Sequence, residues 1–179
     1  MKYSIEQLKN QPEVDYLFFW GHQPSRDGSI IKTCMSQWWP TPFTENGVIY
    51  KTAEHYMMAH KALLFGDEEI AARIVAKDSP KDVKDLGRQV RNFDPEKWDK
   101  HKYEIVRQGN LLKFSQNEAL KQFLIQTTNK VLVEASPVDP VWGIGLAEDH
   151  ENANNPAKWR GENLLGFALM EVRDNLLQS

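Results

Sequence analysis

Residues 159–176, WRGENLLGFALMEVRDNL, constrain the fold more than any other stretch. A helix turns once in roughly 3.6 residues, and on that wheel Leu164, Leu165, Phe167, Ala168, Leu169, Met170 and Val172 leave no wide polar face. A helix that is apolar on most sides must be enclosed by the rest of its domain. The other elements therefore have to surround this one.

Those elements are mostly helices. Residues 4–9 read as a short capped helix ending before Pro12, and 14–20, VDYLFFW, have the β-branched and aromatic density of a strand closed by Gly21. Residues 30–35 predict a second short strand. Glu45-Asn46-Gly47 before Val48-Ile49-Tyr50 predicts a hairpin, because Asn-Gly supplies the positive φ angles of its turn. Further helices start at Thr52, Asp67, Ser79-Pro80, Asp94-Pro95 and Asn117, each with a capping residue in place. Residues 131–136, VLVEAS, read as a buried strand. The expected class is α+β: a single helix-rich domain, 1–179, around a small mixed β-sheet, with 1–13 as a short N-terminal extension.

The segment that carries chemistry is 51–65, KTAEHYMMAHKALLF. After the Thr52 cap, Glu54, Met57, Met58 and Lys61 fall on one helical stripe, so a carboxylate and an ammonium flank a thioether surface. One reading is an amphipathic helix whose acid supports the N-terminal dipole and whose lysine snorkels; the other is a catalytic acid and amine facing a pocket. Two loops add candidates. GHQPSRDGS follows the first strand and offers His22 and Arg26, and SPVDPVWGIG offers Asp139, the flat surface of Trp142, and glycine backbone that a ligand can approach closely. In LGRQVR, Arg88 and Arg91 stand three apart, which on a helix is one face suited to a phosphate or simply to solvent.

Charge and motifs exclude much. The net charge of −3 supplies no global basic field for nucleic acid, and the single cysteine, Cys34, forbids an internal disulfide and suits a reducing compartment. No apolar run reaches signal-peptide or membrane-span length, so a cytoplasmic protein without a membrane partner is expected. His55 and His60 lack the spacing of a zincin, and Walker, dinucleotide and serine-elbow motifs are absent, so no metal and no cofactor are expected. What remains is acid, amine and aromatic chemistry.

Taken together, TAEHYMMAHKALLF, LGRQVR, LVEASPVDPVWGIG and WRGENLLGFALMEVR, with FFWG and MSQWW upstream, resemble the motifs of the YbiA-like proteins of the NADAR superfamily. The resemblance runs from Tyr16 to Asp174. It implies a fold of helices around a small sheet and hydrolysis of an N-glycosidic bond between a ribose and a nitrogenous base. Two substrate classes come with it: phosphorylated ribosylamino-pyrimidine intermediates of riboflavin synthesis, and ADP-ribose on guanine of nucleic acid. A non-catalytic module binding ADP-ribose or a nucleotide is the alternative. Nucleic acid enters only as a modified substrate, and no obligate protein partner is implied.

By this resemblance Glu54, Lys61 and Asp139 are the catalytic candidates, and Arg88, Trp142, Gly143 and Asn163 substrate-binding ones, with Gly166 in the same motif as Asn163; the aromatic and loop residues Trp20, Gly21, Arg26 and Trp38 join the substrate-binding candidates on their own chemistry. N-glycoside cleavage passes through an oxocarbenium-like state, which a carboxylate stabilises or attacks through water. Glu54 in a first helical turn is expected to stay ionised in the dipole field. Lys61 is expected to protonate the leaving nitrogen, or to attack the open sugar aldehyde as an amine. Trp142, Trp38 or Trp20 would stack on the base while Arg88 and Arg26 hold the ribose phosphate.

Overall fold

The structure is a computed structural model and describes residues 1–11 and 13–178. Seven α-helices and four short strands are found among them, the helix-rich α+β class expected. By their internal packing the residues form two compact units, Met1–Ser36 with Glu118–Ser179, and Gln37–Asn117.

In the first unit, α1 (Ile5–Lys9) is capped by the Ser4 side chain; Pro12, expected to stop it, lies outside the described residues. Strand β1 (Tyr16–Phe19) pairs in parallel with β4 (Val131–Glu134), Tyr16 opposite Val131 and Phe19 opposite Glu134. Helix α6 (Glu118–Gln126) leads into β4, and α7 (Leu164–Gln178) packs on β4 and α6. Every residue of α7 from Leu164 to Met170 is buried, as its unbroken apolar surface required. Each large side chain enclosed this way contributes roughly 1.5–3 kcal/mol. Arg173, also buried on α7, has a purpose there: its guanidinium donates to Thr127 Oγ1 at 2.8 Å and to the Lys130 carbonyl at 2.9 Å, closing the α6–β4 turn. The N-terminal residues are tied to the same helix, with Lys2 Nζ and Tyr3 Oη both bonded to Asp174.

Residues 32–35 are a 3-10 turn rather than the expected strand. Its Cys34 N–H closes onto Ile31 O at 2.9 Å, and the Thr33 hydroxyl is spent on Gln23 O at 2.8 Å. A turn lets Cys34 and Met35 point inward together, which alternation along a strand forbids.

The second unit opens with the hairpin β2 (Phe43–Glu45) and β3 (Val48–Tyr50), joined by Asn46 (φ 50°) and Gly47 (φ 81°) as the Asn-Gly pair predicted. The strands thus pair as one parallel and one antiparallel ladder. Helix α2 (Ala53–Leu64) follows and packs against α3 (Glu68–Ala76), α4 (Pro80–Gly87) and α5 (Pro95–Ser115). Gly109 of α5 lets the Tyr56 ring lie directly on its backbone: a Cβ there would come within 2.5 Å of Cδ1. Tyr56 in turn stacks on His60 with centroids 4.0 Å apart and meets the Tyr50 ring edge-on at 5.0 Å, binding the hairpin to α2.

Candidate functional site

Helix α2 starts at a firm boundary. Thr52 is extended, and its hydroxyl oxygen accepts the His55 N–H at 3.3 Å, a cap worth about 1 kcal/mol. His55 is buried between that hydroxyl, 2.8 Å from Nδ1, and the Lys77 carbonyl, 3.1 Å from Nε2. The carbonyl only accepts, so Nε2 carries a proton. Burial holds its pKa below the usual 6.5. The unfolded chain therefore binds more protons as the medium is acidified, and stability present above pH 6.5 is lost as pH falls from there through the folded value. The urea midpoint is expected to drop between pH 7.5 and 5, with a shallower drop in His55→Gln. An equal slope in that variant would show that the imidazole contributes nothing.

Glu54, at the second helical position, is 3% exposed, and its N–H donates to the Gln37 carbonyl at 2.9 Å. Two turns on, Lys61 is half-buried; its Nζ donates to the Gly87 carbonyl at 2.8 Å and sits over the Phe93 ring at 4.4 Å and the Trp98 ring at 5.6 Å. That carbonyl is the C-terminal end of α4, the negative pole of its dipole. Gly87 can come so close because it lacks a Cβ, which would overlap the Met58 sulfur. Burial lowers the Lys61 pKa below the ordinary lysine value, the nearby Glu54 charge opposes that shift, and the Arg88 charge adds to it. Lys61 thus feels the charges of both Glu54 and Arg88, and Phe93 and Trp98 complete the surroundings of the amine. No sequence signal singled out Phe93, because only the turn between α4 and α5 brings it over Lys61.

Arg88 and Arg91 do not share a helical face. Helix α4 ends at Gly87, leaving Arg88 as its exposed cap residue, bonded to Asp85 at 3.0 Å. Arg91 is committed elsewhere: its main-chain N–H, Nε and Nη2 all bond the buried carboxylate of Asp67, at 2.9, 3.1 and 2.6 Å. The Arg91 guanidinium holds that carboxyl well below the usual range. Asp67 also caps α3 through Ile70, so this pair is an architectural clamp. Trp38 of the same unit is half-buried.

The remaining candidates belong to the first unit. Asp139 turns one carboxylate oxygen back on its own loop, Oδ1 accepting from Val141 and Trp142 N–H at 2.9 and 2.8 Å. Trp142 is half-buried, and its carbonyl receives the Leu165 N–H at the start of α7. Gly143 sits where a Cβ would come to 2.8 Å from the Glu134 carbonyl, and its own carbonyl receives the Asn163 N–H. Asn163, fully buried with φ 54°, accepts the Glu134 N–H on Oδ1 and donates Nδ2 to Leu132 O, both at 3.0 Å. It bonds β4 as a neighbouring strand would, so both ends of its amide are occupied by backbone. Trp20 is 55% exposed beside Gly21 (φ 77°) at the end of β1. Arg26 is exposed on a loop knitted together by Ser25, Asp27 and Ser29; hydrogen bonds from Ser29 and Ser25 lower the Asp27 carboxyl to about 2.

Chemically, the α2 face pairs a buried carboxylate with an amine whose pKa burial depresses below the ordinary lysine value. Such a pairing can supply the proton transfers of N-riboside hydrolysis. Water attacks the anomeric carbon and gives its proton to a base while the C–N bond breaks, and the departing nitrogen takes a proton from an acid.

Known proteins place these observations. The NADAR domain family model matches residues 18–177. The chain is 49% identical over 164 residues to an N-glycosidase of Acanthamoeba polyphaga mimivirus, covering 89% of this chain and 95% of that protein. It is 32% identical over 143 residues to an N-glycosidase of Nostoc punctiforme, covering 80% and 85%. The NMR structure of the Escherichia coli protein YbiA superposes with a TM-score of 0.73 at 25% identity, covering 99% of this chain and 94% of that one. No helix among the described residues is long and apolar enough to cross a membrane. With a family match from β1 into the last turn of α7, and relatives of this identity over most of their length, the chain belongs to the NADAR domain family.

Proposed function

We propose that the substrate of this N-glycosidase is a ribose phosphate joined through nitrogen to a small base, foremost a phosphorylated ribosylamino-pyrimidine intermediate of riboflavin synthesis. The observation that carries the reading is the α2 face, where Glu54 is buried two turns from an amine packed over two aromatic rings. A module that only binds nucleotides has no need to bury an amine beside a carboxylate. Glu54 serves as base or charge stabiliser at the anomeric carbon, and Lys61 handles the proton of the leaving nitrogen. Exposed Arg88, whose charge already reaches Lys61, suits the phosphate. A net charge of −3 favours a small phosphorylated metabolite over bulk nucleic acid. Asp139, whose carboxylate orders its own loop, serves as a positioning residue for Trp142.

The test is a side-by-side turnover assay with the phosphorylated ribosylamino-pyrimidine and an ADP-ribosyl-guanine oligonucleotide. Free pyrimidine and ribose phosphate are the expected products; release of ADP-ribose alone would move the enzyme to reversal of base modification. Tight ADP-ribose binding without turnover of either would support the binding module. The pH profile separates the roles of Lys61. A rate that falls on the alkaline side, through a pKa below the ordinary lysine value, marks a proton donor, whereas a rate that rises marks an amine nucleophile. In Lys61→Met that limb is expected to vanish with about a 100-fold loss of kcat.

A further inference from the structure

Gln37, whose main-chain carbonyl holds the Glu54 N–H, forms a buried amide pair with Asn110. Gln37 is 8% exposed and Asn110, on α5, is 0% exposed. Asn110 Nδ2 donates to the Val106 carbonyl at 2.9 Å and to Gln37 Oε1 at 2.7 Å. The Val106 oxygen can only accept, so the Asn110 group facing it is the NH2, and the Gln37 atom facing that NH2 is the oxygen. Both orientations follow from the bonds. Left over are one donor, Gln37 Nε2, and one acceptor, Asn110 Oδ1, both buried without a hydrogen-bond partner.

The location matters as much as the unmet atoms. The main-chain carbonyl of Gln37 receives the Glu54 N–H at 2.9 Å, so the same residue holds the first turn of α2 and presents the unmet donor. Buried polar atoms left unmet are costly, and an apolar pair of the same shape would pack here at lower cost. A pair kept only for packing would not carry two such atoms on the residue that holds the first turn of α2.

We infer that Gln37 and Asn110 are specificity-determining residues of the Glu54 site. Gln37 Nε2 donates to, and Asn110 Oδ1 accepts from, a substrate group that carries an acceptor next to a donor. This deepens the N-glycosidase reading and rests on it. Two parts of an N-riboside have that chemistry, the neighbouring hydroxyls of the ribose and the N–H/C=O lactam edge of the base.

The experiment compares kcat/KM of the full-length wild type and of Gln37→Met, Asn110→Leu and the double variant. The compounds are the riboside phosphate, its 2′-deoxyribosyl counterpart, and a form N-methylated at the lactam, with thermal unfolding alongside. The wild type is expected to disfavour one modified compound by at least about 10-fold, since a site built to hydrogen-bond a group rejects the analogue lacking it. The folded double variant is expected to treat that compound and the parent within about two-fold. Discrimination lost on the 2′-deoxy arm assigns the pair to the sugar; on the methylated arm, to the base. Discrimination that persists in the folded double variant overturns the inference. Should the double variant fail to fold, Gln37→Met decides, because Asn110 keeps its Val106 bond there. Wild type that turns over none of the compounds would refute the riboside-phosphate reading of the substrate, and the pair would then be judged by the same comparison of binding in calorimetry.

Discussion

Glu54→Gln is expected to fold with a melting temperature close to that of the wild type and to lose between about 100-fold and 10,000-fold in kcat. The glutamine keeps the shape of the buried side chain, and the backbone N–H that bonds Gln37 is unchanged. What it removes is the negative charge, and with it, on the proposed mechanism, both the base for the attacking water and the stabiliser of the developing oxocarbenium ion. Because the Glu54 charge also raises the Lys61 pKa, its removal is expected to move the alkaline limb of the residual activity to lower pH. Steady-state kinetics across pH on the folded variant measures both effects. Wild-type turnover in a folded Glu54→Gln would remove the carboxylate from the mechanism.

The second large effect falls on the fold. In Gly166→Ala the new Cβ would overlap the Leu132 carbonyl oxygen and stand 2.6 Å from both Asn163 amide atoms. Neither neighbour can yield. Leu132 is in the middle of β4, and Asn163 is held at both ends of its amide by the same strand. The start of α7 must then lift from β4, which opens the most apolar packing in the first unit. A loss of at least about 3 kcal/mol is expected, read from urea unfolding, with insoluble expression as the extreme. A variant within about 1 kcal/mol of wild type would overturn the close seating of α7 on β4.

Much of this was legible from residues alone. The caps at Thr52, Asp67, Ser79 and Asp94 were legible because a helix start depends on one side chain and the three residues after it. The Asn46-Gly47 hairpin was legible because its turn needs two positive φ angles in succession. The alignment of Glu54 with Lys61 followed from helical period once the cap was placed.

Other features were hidden because they depend on partners distant in sequence. Residues 32–35 have the composition of a strand and form a 3-10 turn, since among the described residues no strand pairs with them and Thr33 bonds Gln23. Arg91 has the spacing of a phosphate ligand relative to Arg88, yet Asp67, 24 residues earlier, takes it. Asn163, singled out for substrate by resemblance, has both ends of its amide bonded to β4.

Period, capping and turn chemistry act within a few residues, so the sequence by itself determined the helices, the hairpin, the enclosed final helix and the acid–amine stripe of α2. Burial, pKa and hydrogen-bond satisfaction are set by whatever chain arrives from elsewhere. Tertiary structure alone therefore decided that Lys61 lies under Phe93 against the end of α4, and that Asp139 orders its own loop. It alone decided, too, that an amide pair beside Glu54 keeps one donor and one acceptor unmet.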